Sequence, residues 1–330
     1  MKFRTRWPAA ALAVVVLATA GSAAAWAATV EGSFERTLTV TGPVELDVKT
    51  GSGSIRVRTG EAGTVHIRAT IKARSGWLEG RRDAEERVRA LEQNPPIEQE
   101  GNTIRIGHIE VEELRRNVSI SYELVVPKET RLKSDTGSGE HKIDGISGPV
   151  KASTGSGNLT LSNIGAEVRA ETGSGDIKVE SVSGSLHAST GSGSIQATGI
   201  SGSITASTGS GDVRLEQSAP GDVKISTGSG DVEIRGMRGG LSVSTGGGSI
   251  TAQGTPTAEW KLDTSSGNVT VNLPAEVGFD IEARTSSGDI YTEHPLTVRG
   301  RTGRREVSGQ IRGGGALIVV RTSSGNIRIE

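Results

Sequence analysis

The sequence predicts an all-β fold, a parallel β-solenoid with about 18 residues per turn and a short helical capping insertion. Three observations predict it: the motif Thr-Gly-Ser-Gly recurs at a nearly constant interval, apolar and polar residues alternate between the motifs, and glycine is abundant. Of 330 residues, 47 are glycine and only 3% are aromatic. This composition provides too few large apolar side chains for one thick globular core and suits a thin core of small side chains.

The repeat is the strongest pattern in the chain. The motif TGSG begins at Thr50, Thr136, Thr154, Thr172, Thr190, Thr208 and Thr227, and relaxed copies begin at Thr245 (TGGG) and at Thr264, Thr285 and Thr322 (TSSG). From Thr136 onward, successive copies are 18, 18, 18, 18, 19, 18, 19, 21 and 37 residues apart. A constant period of this length is typical of solenoids, in which each repeat packs against its neighbours.

Each repeat unit contains two short strands joined by Ser/Gly corners. In the unit 172–189, Ile177 and Val179 are separated by one polar residue, as are Leu186 and Ala188, and this period of two is typical of a half-buried strand. Such a unit cannot bury its own apolar face, so we expect equivalent strands to stack in parallel. The inward positions then form columns, of which one contains Leu159, Ile177, Ile195, Val213, Val232 and Ile250. The repeat threonines are expected to form a further inward column.

Residues 1–27 have the pattern of an export signal. A basic start is followed by 12 apolar residues, 9–20, and by the small-x-small sequence Ala25-Trp26-Ala27. Twelve helical residues span about 18 Å, less than the ~30 Å hydrocarbon core of a bilayer. We therefore expect a cleaved signal and an exported protein in the periplasm, at the cell surface or outside the cell. An uncleaved N-terminal membrane anchor is the alternative.

Residues 28–330 are predicted to form one solenoid domain. Its N-terminal turns, 34–135, contain a cap insertion at about 75–96, where Ala84, Val88 and Leu91 recur at helical spacing. Regular 18-residue turns are predicted for 136–290, an Arg/Gly-rich loop or hairpin for 291–316, and the last turn for 317–330.

These features together resemble the bacterial putative adhesin family. The resemblance rests on the exported start, the unit ending in TGSGSIRV, the helix-bearing insertion, the strand SYELVVP and the ladder of T-[GS]-S-G-[DNS]-[IVL] units, and it covers most of residues 34–330. It implies a right-handed parallel β-helix in the cell envelope or secreted from the cell, of unknown function. Some relatives lie near envelope-stress regulation, and no catalytic or ligand-binding residue is carried over from the family.

The sequence predicts no catalytic residue, no cofactor and no metal site. The chain has no cysteine, and its five histidines are scattered without metal-ligand spacing: His66, His108, His141, His187 and His294. His141 falls in a column that otherwise contains Leu, Ile or Val. The net charge of −1, without long runs of one charge, argues against a nucleic-acid partner.

Two groups of residues are candidates for a weak binding surface. Asp176, Asp212 and Asp231 follow copies of the motif and form a broken acidic stripe. Asp212 and Asp231 could share a divalent cation, or the stripe could consist of corner residues that hydrogen-bond to local backbone, with Lys178 and Arg214 neutralising it. The second group, Arg299, Arg301, Arg304 and Arg305, could bind an anionic envelope polymer or form a solvated loop.

The predicted function is that of an exported, non-catalytic cell-envelope or surface module, adhesin-like in binding or scaffolding. Envelope glycans or surface proteins are the expected partners, and no membrane span is expected after signal cleavage. One alternative is an envelope-stress regulatory protein or a scaffold that self-associates through the solenoid ends. A polysaccharide lyase or hydrolase is another; it would need aromatic residues that stack on sugars, whereas Trp260 and Tyr291 are expected to fill wide C-terminal turns.

Overall fold

The molecule is an all-β stack of parallel strands with irregular structure at each end. The structure, a computed structural model, describes residues 29–75 and 81–330, without the side chains of Leu296 and of residues 298–302. The predicted export signal, 1–27, lies outside the described residues. Within them, 27 strands form a single sheet, which confirms the all-β prediction.

The described strands and helices have the following bounds in chain order. They are β1 (Thr29–Thr39), β2 (Val44–Ser52), β3 (Ile55–Thr59), β4 (Thr64–Arg74), α1 (Arg81–Gln93), β5 (Ile97–Glu100), β6 (Thr103–Ile106), α2 (Glu112–Arg115), β7 (Val118–Val126), β8 (Thr130–Ser138), β9 (His141–Asp144), β10 (Val150–Ser156), β11 (Leu159–Ile164), β12 (Val168–Ser174), β13 (Ile177–Val182), β14 (Leu186–Ser192), β15 (Ile195–Ile200), β16 (Ile204–Thr208), β17 (Val213–Gln217), β18 (Val223–Thr227), β19 (Val232–Thr245), β20 (Ile250–Thr264), β21 (Val269–Asn272), β22 (Phe279–Ser287), β23 (Ile290–Thr292), β24 (Leu296–Gly303), β25 (Glu306–Ile311), β26 (Ala316–Ser324) and β27 (Ile327–Ile329).

Each coil consists of a strand that leads into the repeat motif, the corner formed by that motif, and a second strand that follows it. The leading strands β8, β10, β12, β14, β16 and β18 pair in parallel on one face, and the following strands β9, β11, β13, β15 and β17 pair on the other. The long strands β19 and β20 each contribute to both faces.

The register of the middle coils matches the predicted inward columns. Leu159 pairs with Ile177, Ile177 with Ile195, and Ile195 with Val213, so that partners lie 18 positions apart in the chain. All four side chains are at most 1% exposed. Because the pattern repeats from coil to coil, similar apolar side chains stack into a continuous core.

The repeat threonines form the expected inward column and link the coils. Thr172 is buried, and its hydroxyl donates a hydrogen bond of 3.0 Å to the carbonyl of Gly157, the second glycine of the preceding motif. Thr190 makes the same bond to Gly175 at 2.9 Å. The threonine hydroxyl therefore stabilises the corner of the coil before it, which accounts for threonine at this place in every copy of the motif.

The second glycine of the motif is required because successive corners touch backbone to backbone. A Cβ atom on Gly157 would overlap the carbonyl oxygen of Gly139 in the preceding coil. The same overlap recurs along the corner column, so any larger residue would push two coils apart.

The N-terminal end is closed by antiparallel strands and a helix. Strand β4 pairs antiparallel with both β1 and β7, and β7 pairs in parallel with β3 of the first coil. Helix α1 packs on β1 and β4 through Ala84, Val88 and Leu91, which are buried. The Glu92 carboxylate accepts the Ser33 N–H of the edge strand β1 at 2.8 Å. The helix thus covers the core and an edge N–H that could otherwise template aggregation.

The C-terminal end departs from the expected strand order. Strand β26 pairs in parallel with β20 on one side and with β22 on the other, and β27 lies in the same way between β21 and β23. The order of the repeats in the sequence predicts that residues 317–330 form the end of the stack. This prediction is wrong, because β26 and β27 each lie between two other strands. The coil that contains Thr285 is outermost.

The chain reaches this arrangement by crossing over the start of β22. Strand β25 pairs antiparallel with one edge of β22, and β26 pairs with the opposite edge. The connection between β25 and β26 passes so close to Gly278 that a Cβ atom there would lie 2.7 Å from the carbonyl oxygen of Gly314. Gly313 and Gly314 have φ values of +85° and +84°, which side chains strongly disfavour. The glycine run is thus a crossover, and the preceding segment forms the hairpin β24–β25.

The two described helices, α1 and α2, are both short. Over residues 29–75 and 81–330, neither helix is long and apolar enough to cross a bilayer.

Candidate binding surface

The acidic stripe connects successive coils through hydrogen bonds to backbone. One carboxylate oxygen of Asp176 accepts the N–H of Ser194 at 2.9 Å, and one of Asp231 accepts the N–H of Ser249 at 2.8 Å. Asp212 accepts the N–H of Asp231 at 3.1 Å. These hydrogen bonds fit corner residues that bond to backbone better than they fit a shared cation. They run to the backbone of the next coil, however, and not to the local backbone.

The basic residues beside the stripe behave differently from one another. Arg214 lies 3.1 Å from the second carboxylate oxygen of Asp212, whereas Lys178 pairs with Glu180 at 2.8 Å and not with Asp176. Among the residues that the structure describes, no group of three or more His, Asp or Glu side chains is arranged to hold a metal ion.

His141 is a buried core residue in the first regular coils. Its ring lies in the column between Ile55 and Leu159 and is fully buried. Its Nδ1 atom is 2.9 Å from the Ser134 hydroxyl, and its Nε2 atom has no hydrogen-bond partner. Burial lowers the pKa of His141 to about 4, although the nearby charge of Asp135 opposes this shift. The imidazole is therefore neutral at pH 7 and has no access to a substrate.

The two aromatic residues considered for the C-terminal coils have opposite environments. Trp260 is buried, and its indole N–H donates a hydrogen bond of 2.9 Å to the carbonyl of Gly239. Tyr291 is 51% exposed, so the expectation that it fills a wide turn is wrong. Because β23 is short and lies at the edge of the sheet, its outward side chain has little to pack against.

Of the four arginines predicted to form a binding surface, the structure describes the side chains of two, Arg304 and Arg305. Arg304 and Arg305 are exposed in the turn of the β24–β25 hairpin. Their carbonyls accept the N–H groups of Ile290 at 3.1 Å and Thr285 at 3.0 Å. The hairpin turn thus supplies hydrogen bonds that a further coil would otherwise supply. The side chains of Arg299 and Arg301 lie outside the described residues.

Arg305 contributes to a concave surface that the sequence did not reveal. We define the C-terminal basic groove by Arg284, Arg305 and Arg321, which line a depression of about 530 Å³ together with the hydroxyl residues of four neighbouring corners. The available signal was the five-residue sequence Arg-Thr-Ser-Ser-Gly, which occurs at Arg284 and again at Arg321.

A larger depression of about 1010 Å³ lies on the outer face of the N-terminal strands. Opposite charges alternate across it in register, so that Arg68 pairs with Glu35 at 3.3 Å and Arg56 with Glu123 at 3.6 Å. All four side chains are more than half exposed, and ion pairs at such sites contribute little to stability. The pairing nevertheless leaves this depression close to balanced in charge.

Comparison with known proteins identifies the family. No relative is found among curated proteins. Two solved structures match: a putative cell adhesion protein from Clostridium sporogenes ATCC 15579 and a putative adhesin from Bacteroides fragilis NCTC 9343. The first is 12% identical with a TM-score of 0.25, covering 90% of this chain and 99% of its own; the second is 11% identical with a TM-score of 0.25, covering 91% and 97%.

The family model described as Toastrack DUF4097 matches residues 102–215 and 166–330, which together are more than half of the chain. The two matches together include all the regular coils described above. This chain belongs to the Toastrack DUF4097 family.

Proposed function

We propose that this protein is an exported, non-catalytic module of the bacterial cell surface or envelope, whose long polar faces bind an envelope component. One observation carries the proposal: the coils from β10 to β18 repeat with a constant register, which creates a rod with regularly spaced outward side chains. The signal-like sequence at residues 1–27 and membership of the Toastrack family support it.

The winding that we infer is right-handed, with one turn for each repeat unit of the regular coils. The constant steps between paired residues, such as Val168 with Leu186 and Leu186 with Ile204, support this turn length. Right-handed crossovers between parallel strands of one sheet are strongly preferred, because right-twisted strands pack back onto the sheet in that sense.

The ends of the rod favour binding along its sides over stacking end to end. Helix α1 covers the N-terminal core, and the turn of the β24–β25 hairpin hydrogen-bonds to the outermost coil. A covered edge offers few free backbone groups to a second copy. Sedimentation at increasing protein concentration should therefore show a monomer, and growth into filaments would favour the self-assembling scaffold.

Cell fractionation tests the proposal directly. We expect an antibody raised against residues 136–290 to detect the protein in the envelope or medium, in a form that lacks the predicted signal, with a cytoplasmic enzyme as the fractionation control. Full-length protein confined to the cytoplasm would contradict it. Incubation with envelope polysaccharides should give retention of the polymer without release of shorter products, and release would support the lyase or hydrolase alternative.

A further inference from the structure

We propose that the C-terminal basic groove binds an oxyanion group, phosphate or carboxylate, of an anionic envelope glycopolymer. The inference rests on the proposed surface function, because it names the ligand class of that module. It is carried by the way the strand order assembles side chains that lie far apart in the sequence.

The two Arg-Thr-Ser-Ser-Gly motifs lie side by side although 37 residues separate them in the chain. Arg284 pairs in register with Arg321, and Thr285 with Thr322, on the adjacent parallel strands β22 and β26. Neighbouring strands are about 4.8 Å apart, so both guanidinium groups can reach one oxyanion. Because β26 lies between β20 and β22, Arg321 stands in register between Asp263 and Arg284.

Arginine at this position distinguishes the C-terminal coils from the middle ones. The residue before the repeat threonine points outward, and in five other coils it is serine: Ser153, Ser189, Ser207, Ser226 and Ser244. The fold therefore accepts a small polar residue here, and the two arginines are not required by the packing of the coil.

The corners of the same coils provide hydroxyl groups. In the three TSSG copies, serine replaces the first glycine of the motif, at Ser265, Ser286 and Ser323, and these three coils are neighbours in space. All three serines line the groove. Hydroxyl donors next to guanidinium groups are suited to bind an oxyanion and the adjacent sugar hydroxyls.

The arginines of the groove differ in how far their charges are already paired. Glu306 accepts hydrogen bonds from Nε of Arg284 at 3.1 Å and from Nη2 at 2.8 Å, which fixes the orientation of that guanidinium. Asp263, the neighbour of Arg321 in register, pairs with Lys261 at 3.6 Å. Over the part of the chain that the structure describes, Arg321 and Arg305 form no ion pair with a carboxylate. Their donors remain available to an incoming anion.

The lining favours a glycopolymer over a membrane or a single-stranded nucleic acid. Every residue that lines the groove is Ser, Thr, Asp, Glu or Arg. Stable attachment to a lipid surface generally buries apolar side chains, and single-stranded nucleic acids bind largely by stacking on aromatic rings. The groove offers neither an aliphatic nor an aromatic side chain for such contacts.

A binding measurement with the full exported chain tests the site. The probes are poly(glycerol phosphate), polygalacturonate and phosphatidylglycerol vesicles, each titrated at two salt concentrations because charge-based binding weakens with salt. We expect the double variant Arg284→Ser/Arg321→Ser to bind the preferred polymer at least about tenfold more weakly, since it removes charge-assisted hydrogen bonds, which are stronger than those between neutral groups. The polymer that binds more tightly identifies phosphate or carboxylate as the ligand group.

A matched control is Arg105→Ser/Arg131→Ser, which removes the same charge from exposed positions of β6 and β8. It should bind within about twofold of the wild type, and both variants should melt at the wild-type temperature. Undiminished binding by the groove variant, an equal loss in the control, or binding to vesicles alone would overturn the proposal.

The two proposals fail separately. An exported protein whose groove variant still binds the polymer would retain the surface function and remove this site. A cytoplasmic protein whose groove variant loses polymer binding would contradict the surface function and retain this binding site.

Discussion

The strands of the middle coils and those at the two ends of the molecule find different hydrogen-bond partners for their backbone N–H and carbonyl groups. Each middle coil hydrogen-bonds to near-copies of itself on both sides, as Ile195 does with Ile177 and Val213. The first coil instead pairs in parallel with β6 and β7, which belong to the cap, and the outermost coil meets the β24–β25 hairpin. Sequence repetition thus determines the middle, whereas each end depends on a segment that has no copy elsewhere.

The comparison predicts its largest effect for a charge in the middle core. Ile195→Asp would place a carboxylate among Ile177, Ala197 and Val213, all buried, and should lower the free energy of unfolding by about 5 kcal/mol. Urea denaturation followed by circular dichroism measures the loss, and hydrogen exchange should show several coils opening together. The control Gln196→Asp, one residue along on the exposed side, should change stability by less than about 0.5 kcal/mol. Equal melting of the two variants would contradict the inward assignment of Ile195.

A second prediction compares a corner glycine that touches the preceding coil with one that faces open space: Gly157, the second glycine of a middle motif, and Gly51, the first glycine of the first motif. Gly157→Ala should cost about 3 kcal/mol, because its Cβ would overlap the Gly139 carbonyl. Gly51→Ala, in the first coil, should cost less than about 1 kcal/mol, because no atom lies within 4 Å of the added Cβ. Thermal unfolding of the two variants is the measurement. Similar losses in both would show that the corner glycines are needed for reasons other than contact between coils.

The polar core beside the N-terminal cap predicts a dependence on pH. The pKa of His141 is about 4 in the folded protein and about 6.5 in an unfolded chain, so the unfolded state binds more protons between these values. The contribution of neutral His141 to the free energy of unfolding is therefore fully present above pH 6.5. It is lost as the pH falls toward 4, which lowers the free energy of unfolding by up to about 3 kcal/mol.

The double variant His141→Leu/Ser134→Ala removes this effect and leaves no unpaired hydroxyl. Both replacements are found in the neighbouring coil, as Leu159 and Ala152. Its stability should vary less than that of the wild type between pH 6.5 and 4, measured by urea denaturation across the range. An unchanged pH profile would show that His141 is not the group responsible.

The smallest effect is predicted for the acidic stripe. Asp231→Ala removes the acceptor for the Ser249 N–H and should cost about 1 kcal/mol. Asp231→Asn keeps an acceptor oxygen and should be nearly neutral, as the natural Asn158, which accepts the N–H of Asp176 at 2.9 Å, suggests. If calcium stabilised the wild type and neither variant, the stripe would be a cation site after all.

The sequence was sufficient for the middle coils because each inward residue is repeated at a fixed interval. Leu159, Ile177 and Ile195 identify their own neighbours, and the helical spacing of Val88 and Leu91 identifies the cap helix. The place of β26 could not be predicted, because the 37-residue interval before Thr322 contains no information about which edge the returning chain joins. The basic groove was missed for a related reason: Arg305 completes it from the turn of the β24–β25 hairpin, a segment that has no copy elsewhere in the sequence.

That strand order is most directly tested by cross-linking, since the chain has no native cysteine. Asp263 pairs with Arg321, and Arg321 with Arg284, so cysteine pairs at 263/321 and at 321/284 lie one strand apart, about 4.8 Å, within reach of a disulfide. Cysteines at 263/284 lie two strands apart, about 10 Å, which is too far. We expect rapid disulfide formation in the first two variants and none in the third. Disulfide formation at 263/284, with none at 263/321, would show that the coils follow the order of the sequence and would contradict the account.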